Sequence, residues 1–411
     1  MKMRPFHRLI PWEEARRRLE ADLVPIARRE GLPVAHAVGR VVAREYRAKT
    51  AVPPFDRATW DGYALQARST RRASRSHPVR LRVLGEVFAE GGYRDRVGPG
   101  EAVAIATGGL LPGGADSVVQ FEDVSLRAGA ITVRAPVDLH DRIARAGEDL
   151  PVGSTIVRAG TVLAPADLGA LAITGWPLVE VWARPVVTIV PNGNELRPPG
   201  ARLGRGEIYE SNNSTLAALV EASGGIARTT NPVPDDPDRI EKAVRAAVRQ
   251  SDLVLVTGGS SVGERDFLPS VLPRLGRLRF HGIAIRPGKP TLAVRSGRVV
   301  VIGMPGHPTS CLSNGFWLVL PILRQLARLP GDGWRDMSVR LSAPVRLPTS
   351  GFATVVPLRV RGTRASPTFR GSSAIASLGG ANAFALWPPD RKAPGRGARL
   401  TAHVFLPPLG P

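Results

Sequence analysis

Residues 253–266 read LVLVTGGSSVGERD. Leu253–Val256 is an uninterrupted apolar run of the kind that parallel sheets bury on both faces. The chain then turns through Thr257-Gly258-Gly259-Ser260-Ser261. Glycines there let backbone N–H groups approach an anion, and the hydroxyls add donors, so Gly258, Gly259, Ser260 and Ser261 are candidates for binding a phosphate-bearing substrate. The loop is not a Walker sequence, because Gly-Lys-Ser/Thr is absent, and it lacks the third glycine of a dinucleotide fingerprint. Taken alone, such a turn serves equally well as a tight strand-to-helix connection.

Outward from this loop the pattern is α/β. Val186–Val190 and Val299–Ile302 are further apolar strands, Thr215–Ala222 reads as a helix closed by Gly224 and Gly225, and Asp236-Pro237 starts another with an N-cap and proline at N1. Cys311–Arg328 reads as a covering helix kinked at Pro321. A doubly wound domain over 183–331 is expected, with ligands at the carboxyl ends of its strands. Two more loops after strands carry unusual residues. Arg286-Pro287-Gly288-Lys289-Pro290 sets two cations on a chain stiffened by prolines, which suits an oxyanion. Gly303-Met304-Pro305-Gly306-His307-Pro308-Thr309-Ser310 opens a helix whose free N–H groups favour negative charge. Among the acids, Asp236 reads as a helix cap, whereas Glu195 and Asp235 are candidate ligands for Mg²⁺, which takes a few carboxylates plus ligand oxygens.

The flanks differ in composition. Residues 8–28 read as an amphipathic helix, the chain to about 141 as a β-rich module, 142–182 as turn-punctuated strands with a short helix, and 332–411 as a small all-β domain. Together these give a multidomain α/β plus β protein: a central doubly wound α/β domain, N-terminal β-rich domains and a small, barrel-like C-terminal β domain. At 411 residues two to four domains are expected. No stretch reaches the roughly 18 apolar residues that cross a bilayer, and the charged N-terminus lacks the pattern of a signal peptide, so a cytoplasmic protein without membrane contact is expected. One cysteine, Cys311, and seven scattered histidines give no disulfide and no spacing for zinc, iron–sulfur or haem chemistry. The formal charge of +21 raises the question of nucleic acid. The arginines are spread along the whole chain without a basic tail, so diffuse arginine usage is the preferred reading.

In this order the motifs resemble the molybdopterin molybdenumtransferases, including the C-terminal domain of gephyrin. The resemblance rests on Asp61-Gly62-Tyr63-Ala64, Ala106-Thr107-Gly108 with Pro112, Arg145-Ala146-Gly147-Glu148-Asp149 and Ile208-Tyr209-Glu210-Ser211-Asn212. The Gly-Gly-Ser-Ser-Val-Gly-Glu loop, Pro-Gly-Lys-Pro at 287–290 and Gly-Met-Pro-Gly-His-Pro at 303–308 complete it. It implies a homodimer of four-domain subunits: 8–28 with 46–54 and 142–182; 29–45 with 55–141; 183–331; and 332–411. It also implies a cleft in which Asp61 comes from the partner subunit. The reaction implied takes molybdate and adenylated molybdopterin, uses Mg²⁺ and releases AMP with the finished cofactor. On that pattern Asp61, Lys289, Glu195 and Asp235 are the catalytic candidates, with Glu195 and Asp235 toward the metal. Thr107, Asp149, Asp266, Arg286, Pro305, Pro308 and Ser310 join the glycine loop on the substrate side. Transient contact with a molybdopterin adenylyltransferase and with acceptor molybdoenzymes would follow.

The chain departs from the family pattern at Arg57–Trp60, at Asn194 where a carboxylate is usual, at Gly282, at Arg286 and at His307. These leave open a non-catalytic or altered-metal paralogue. A molybdopterin adenylyltransferase is the other alternative, but it needs only the α/β domain.

Overall fold

The computed structural model describes residues 9–260, 266–345, 351–370 and 374–405. Ser261 lies outside the described residues. The chain divides into two compact units, one of Gly31–Val38 with Val42–Val181, the other of residues up to Glu30, Gly39–Val41 and the chain from Trp182 onward.

Among the described residues, the first unit is built on a six-stranded sheet in the spatial order Ser117–Gln120, Gly62–Leu65, Glu101–Ile105, Val79–Val87, Ala130–Val133, Val124–Arg127. Alternation along the strands sends Tyr63, Leu65 and Ile131 to one core and Ala64, Val103 and Val118 to another, as the period of two in a strand requires. A third core gathers Tyr46, Leu163, Leu171 and Val181. Gly62 lies on the strand next to the edge strand Ser117–Gln120, so close to it that a Cβ would run into the Val119 carbonyl oxygen.

The second unit holds the α/β sheet. Its elements are β1 (Val186–Pro191), α1 (Asn212–Ala222), β2 (Ile226–Thr229), α2 (Pro237–Arg249), β3 (Leu253–Thr257), α3 (Leu268–Leu275), β4 (Arg277–His281), β5 (Leu292–Ser296), β6 (Val299–Met304) and α4 (Pro308–Asn314). Strand order is β2-β1-β3-β6-β5-β4. The first four run parallel, and β5 and β4 extend the sheet antiparallel. Val187, Ile189, Leu253 and Leu255 face α1, while Val190, Val254 and Val256 face α2 and α3. Both faces are covered, which is why these strands read as continuous apolar runs. Burying each such side chain contributes about 2 kcal/mol. The order reverses between β1 and β3, so the loops after these strands diverge and leave a crevice at their carboxyl ends.

Two helices differ from their sequence reading. The N-terminal helix spans Trp12–Glu20 rather than 8–28. Pro25 disfavours helix at the residue before it, and Asp22 is buried in ion pairs with Arg279 at 2.6 Å and Arg295 at 3.1 Å. Trp12 packs 4.7 Å from Trp317, seating the helix on the α/β core. The covering helix is Pro308–Asn314, a π turn at Gly315–Val319, then Leu320–Leu326. The irregularity thus precedes Pro321: the Leu320 N–H reaches back five residues to Gly315 O, and this π turn carries the helix past a proline that has no N–H to donate.

Beyond it β7 (Trp334–Leu341), β8 (Ala353–Arg361), β9 (Arg364–Pro367), β10 (Ala383–Trp387) and β11 (Arg399–Phe405) close into a five-stranded barrel, β8-β9-β7-β11-β10 and back to β8. Ile285–Arg286 adds to β8 in parallel, with Arg286 beside Thr354. No helix among the described residues is long and apolar enough to cross a membrane.

Candidate functional site

A cavity of about 930 Å³ opens at the carboxyl ends of β1, β3 and β6. From the end of β1 come Asn192 and Glu195; Asp235 comes from the segment that leads into α2. The loop after β3 gives Gly258, Gly259, Ser260 and Asp266; Arg286 and Lys289 come from the proline-stiffened loop. Pro305, Pro308 and Ser310 close the wall after β6. Eleven of the residues singled out in the sequence are therefore brought to one cavity from five separate segments. It is concave, mixed in sign and placed where the topology opens the sheet.

Local constraints hold this wall. Gly258 has φ +88°, and a Cβ there would run into the backbone carbonyl oxygen of Asn192. The Ser260 hydroxyl donates to the Met304 carbonyl at 3.0 Å, tying the glycine loop to the end of β6. Asn314 donates through Nδ2 to Gly288 O at 2.9 Å and Thr291 Oγ1 at 2.7 Å, fixing the cation loop from below. The Arg286 guanidinium lies 5.4 Å from the Phe352 ring centroid, over an aromatic face of the barrel. Asp236 caps α2 by accepting from Arg239 N at 2.8 Å and takes no part in the cavity.

The acidic side carries its own signature. Asn194 N–H donates to Asp235 Oδ2 at 3.2 Å, and Asp235 N–H donates to Asn194 Oδ1 at 3.1 Å. The Asp235 carboxylate is thus held by the Asn194 backbone, and the Asn194 side chain returns the contact through its amide oxygen without adding a second negative charge. Among the described residues no three acidic, imidazole or thiol groups converge to hold a metal by themselves. Glu195, Asp235 and Asp266 line the same cavity without converging, so a hard cation held there would draw the rest of its shell from ligand oxygens. Three residues that line this cavity, Asn192, Asn212 and Thr257, each keep a buried side-chain oxygen without a partner among the described residues: Asn192 Oδ1, Asn212 Oδ1 and Thr257 Oγ1. Such atoms are rare in native interiors. The sequence reading quoted Asn212 within a motif but gave it no role in the site, and it missed Asn192 and Asn314 as site residues, whose signal is an amide at an otherwise apolar strand end or helix.

Asp61, Thr107 and Asp149 belong to the other unit, where three motif segments meet. Gly108 N–H donates to Ala58 O at 2.8 Å, Leu111 N–H to Asp56 O at 2.9 Å and Gly147 N–H to Pro53 O at 2.9 Å. The Asp56 carboxylate accepts from Ala146 N at 2.7 Å, a positioning role the sequence did not reveal. On this platform Asp61 Oδ1 accepts from Thr107 N at 2.7 Å and Thr107 Oγ1 at 3.0 Å. The Thr107 amide first, then its hydroxyl, hold the Asp61 carboxyl below the usual carboxylate range. Asp149 is exposed at the edge, its N–H donating to Val52 O at 3.0 Å. Of the departures, Ala58 is buried in the ladder with Ile143, while Trp60 stands 57% exposed.

Residues 10–175 match the family described as "MoeA N-terminal region (domain I and II)", and residues 188–325 match "Probable molybdopterin binding domain". The chain is 31% identical over 388 residues to a protein of Bacillus subtilis (strain 168) named "Molybdopterin molybdenumtransferase", covering 92% of this chain and 90% of that one. A protein of the same name from Haemophilus influenzae is 32% identical over 319 residues, 77% of this chain and 78% of its own. Among solved structures, the molybdopterin biosynthesis MoeA protein from Pyrococcus horikosii superimposes with a TM-score of 0.86 at 34% identity, covering 97% of this chain and all of that one.

Proposed function

The chain belongs to the molybdopterin molybdenumtransferase family, and from that premise we propose that it inserts molybdate into adenylated molybdopterin with release of AMP, the last step of molybdenum cofactor assembly. The observation that carries this is the convergence of cations, phosphate-type glycine loop and carboxylates on one cavity. The task is one of positioning and electrostatics: an oxyanion must meet two dithiolene sulfurs while an adenylyl phosphate is released. In this reading Arg286 and Lys289 hold molybdate, with Pro305, Pro308 and Ser310 shaping the pterin side. Backbone N–H groups at Gly258 and Gly259 receive the phosphates, and Ser261 belongs to the same loop by sequence. Glu195 and Asp235, with Asp266 nearby, would hold Mg²⁺, which when bound neutralises phosphate charge.

The reading includes a homodimer in which a second copy supplies Asp61, with Thr107 and Asp149, to the substrate. It also places the protein in the cytoplasm, in passing contact with the adenylyltransferase and with acceptor molybdoenzymes. One observation favours a variation on it: the residue paired with Asp235 is an asparagine rather than an acid, so in this reading the acidic side holds a divalent cation less strongly than two carboxylates there would.

The test is AMP release from adenylated molybdopterin by purified protein with Mg²⁺, with and without molybdate. Molybdate-dependent release is expected. Lys289→Ala is expected to lower it about 100-fold, the scale of losing one charge-stabilising group, with thermal stability unchanged. Release that ignores molybdate, or a fully active Lys289→Ala protein, would overturn the assignment.

A further inference from the structure

Arginines that are dispersed along the sequence are gathered by strand register on the C-terminal barrel. Residues 332–411 hold eleven arginines and lysines against three aspartates. Arg361 of β8 pairs with Arg364 of β9. Arg364 pairs with Arg340 of β7, and Arg340 with Arg399 of β11. Residues opposite one another on neighbouring strands point to the same face, so four guanidinium stems share one rung of the outer surface at the strand spacing of roughly 4.8 Å. All four are exposed, and none has an acidic partner among the described residues. Like charges directly opposite destabilise a sheet. The barrel therefore carries a repulsion that a bound anion would relieve.

Beside this rung lies a second cavity of about 650 Å³, bordered by Arg359, Arg361, Arg364, Arg370, Ser342 and Ser366. Arg359 faces Ser366 one step inward from the rung, on the same face. Its Nε donates to Gly380 O at 2.8 Å, which fixes the direction of the fork. The Ser342 and Ser366 hydroxyls lie 2.7 Å apart and share a hydrogen bond. Guanidinium forks match phosphate oxygens two at a time and hydroxyls add further donors. The volume is that of a small-molecule site rather than of a flat macromolecular surface. Phe369 borders both this cavity and the one at the ends of β1, β3 and β6, so the two are neighbours with different linings: mixed sign in one, arginine alone in the other.

We propose that the arginine cavity binds the linked phosphates of a small polyphosphate anion, either free or as part of a nucleotide. This does not rest on the function assigned to the other cavity. The test is calorimetric titration of the full chain at low ionic strength with inorganic tripolyphosphate and, separately, with ATP. Saturable binding near one per chain is expected, weakening as salt rises. An Arg361→Gln/Arg364→Gln variant should lose at least tenfold in affinity, and Lys289→Ala should keep it. The double variant removes exposed like charges, so without anion its melting temperature should not fall, and the rise that tripolyphosphate gives the wild type should vanish. Equal affinities for the two probes would assign recognition to the phosphate chain alone, and tighter ATP would assign it to a nucleotide; both support the proposal. Unchanged affinity in the double variant, loss of binding in Lys289→Ala, or binding of duplex DNA without binding of tripolyphosphate would each overturn it.

Discussion

The wall of the α/β cavity and the Asp61 platform of the other unit solve the problem of presenting polar groups in opposite ways. In the cavity wall, Asn192, Asn212 and Thr257 are nearly inaccessible and each keeps one polar atom without a partner among the described residues. On the platform, Asp61 is exposed, yet its Oδ1 already accepts two hydrogen bonds from Thr107. The first arrangement keeps polar groups inside the wall, in a region of low dielectric where an unmet hydrogen bond is costly. The second keeps a carboxylate ionised and aimed, ready without further reorganisation.

The largest expected effect breaks the wall. Gly258→Ala adds a Cβ against the Asn192 carbonyl at a φ of +88°, and no flexible side chain can yield there. Strain and overpacking together should cost about 3 kcal/mol, seen as a lowered midpoint in denaturant titration. Trp60→Ala on the platform removes a ring that is 57% exposed and should stay within about 0.5 kcal/mol. Equal losses in the two variants would mean that the wall is not the more tightly constrained region.

The same contrast explains what the sequence could and could not disclose. Strands β1, β3 and β6 and the cap at Asp236 were legible because their signals are local: an apolar run, or an aspartate before a proline. The loops carrying Lys289 and Gly258 were legible because function gathers unusual residues directly after strands. The helix at Trp12–Glu20 was read too long, since amphipathic periodicity continues past Glu20 while Pro25 and the buried Asp22 ion pairs end it. The arginine rung was invisible, and the charge seemed diffuse, because register between β7, β8, β9 and β11 is set by long-range pairing. Asn192 was missed, and Asn212 was given no role beyond its motif, for the same reason: an amide matters there only once the chain around it has closed.

A smaller effect separates the regions by pH. Glu210, at the start of α1, is 4% exposed and accepts from Asn213 N at 2.9 and 3.1 Å. Burial raises its carboxyl above the usual glutamate range, against the pull of those amides. A raised value in the folded state means that the native protein holds the proton more tightly than the unfolded chain. That contribution is fully present below the ordinary glutamate pKa and is lost as pH rises through the raised one. Glu210→Gln cannot titrate, so its stability relative to wild type should improve from mildly acidic to neutral pH in parallel denaturant titrations. A difference that shrinks over that interval would place the Glu210 carboxylate in a more polar setting than its burial indicates.

The smallest effect lies at Asp61, where the sign is reversed. Hydrogen bonds from Thr107 favour the charged form, so the folded-state value lies below that of the unfolded chain. The associated stabilisation is present above the ordinary aspartate pKa and lost as pH falls through the lowered one. Thr107→Val removes the hydroxyl donor at 3.0 Å but leaves the backbone N–H at 2.7 Å. The Asp61 carboxyl should therefore titrate at a higher pH than in the wild type, yet still below an ordinary aspartate, as followed by the carboxyl carbon in NMR. Full return to the ordinary value would mean that the amide alone cannot hold Asp61 once the hydroxyl is gone. No change would mean that the amide suffices, and that Thr107 serves the platform through its backbone rather than through its side chain.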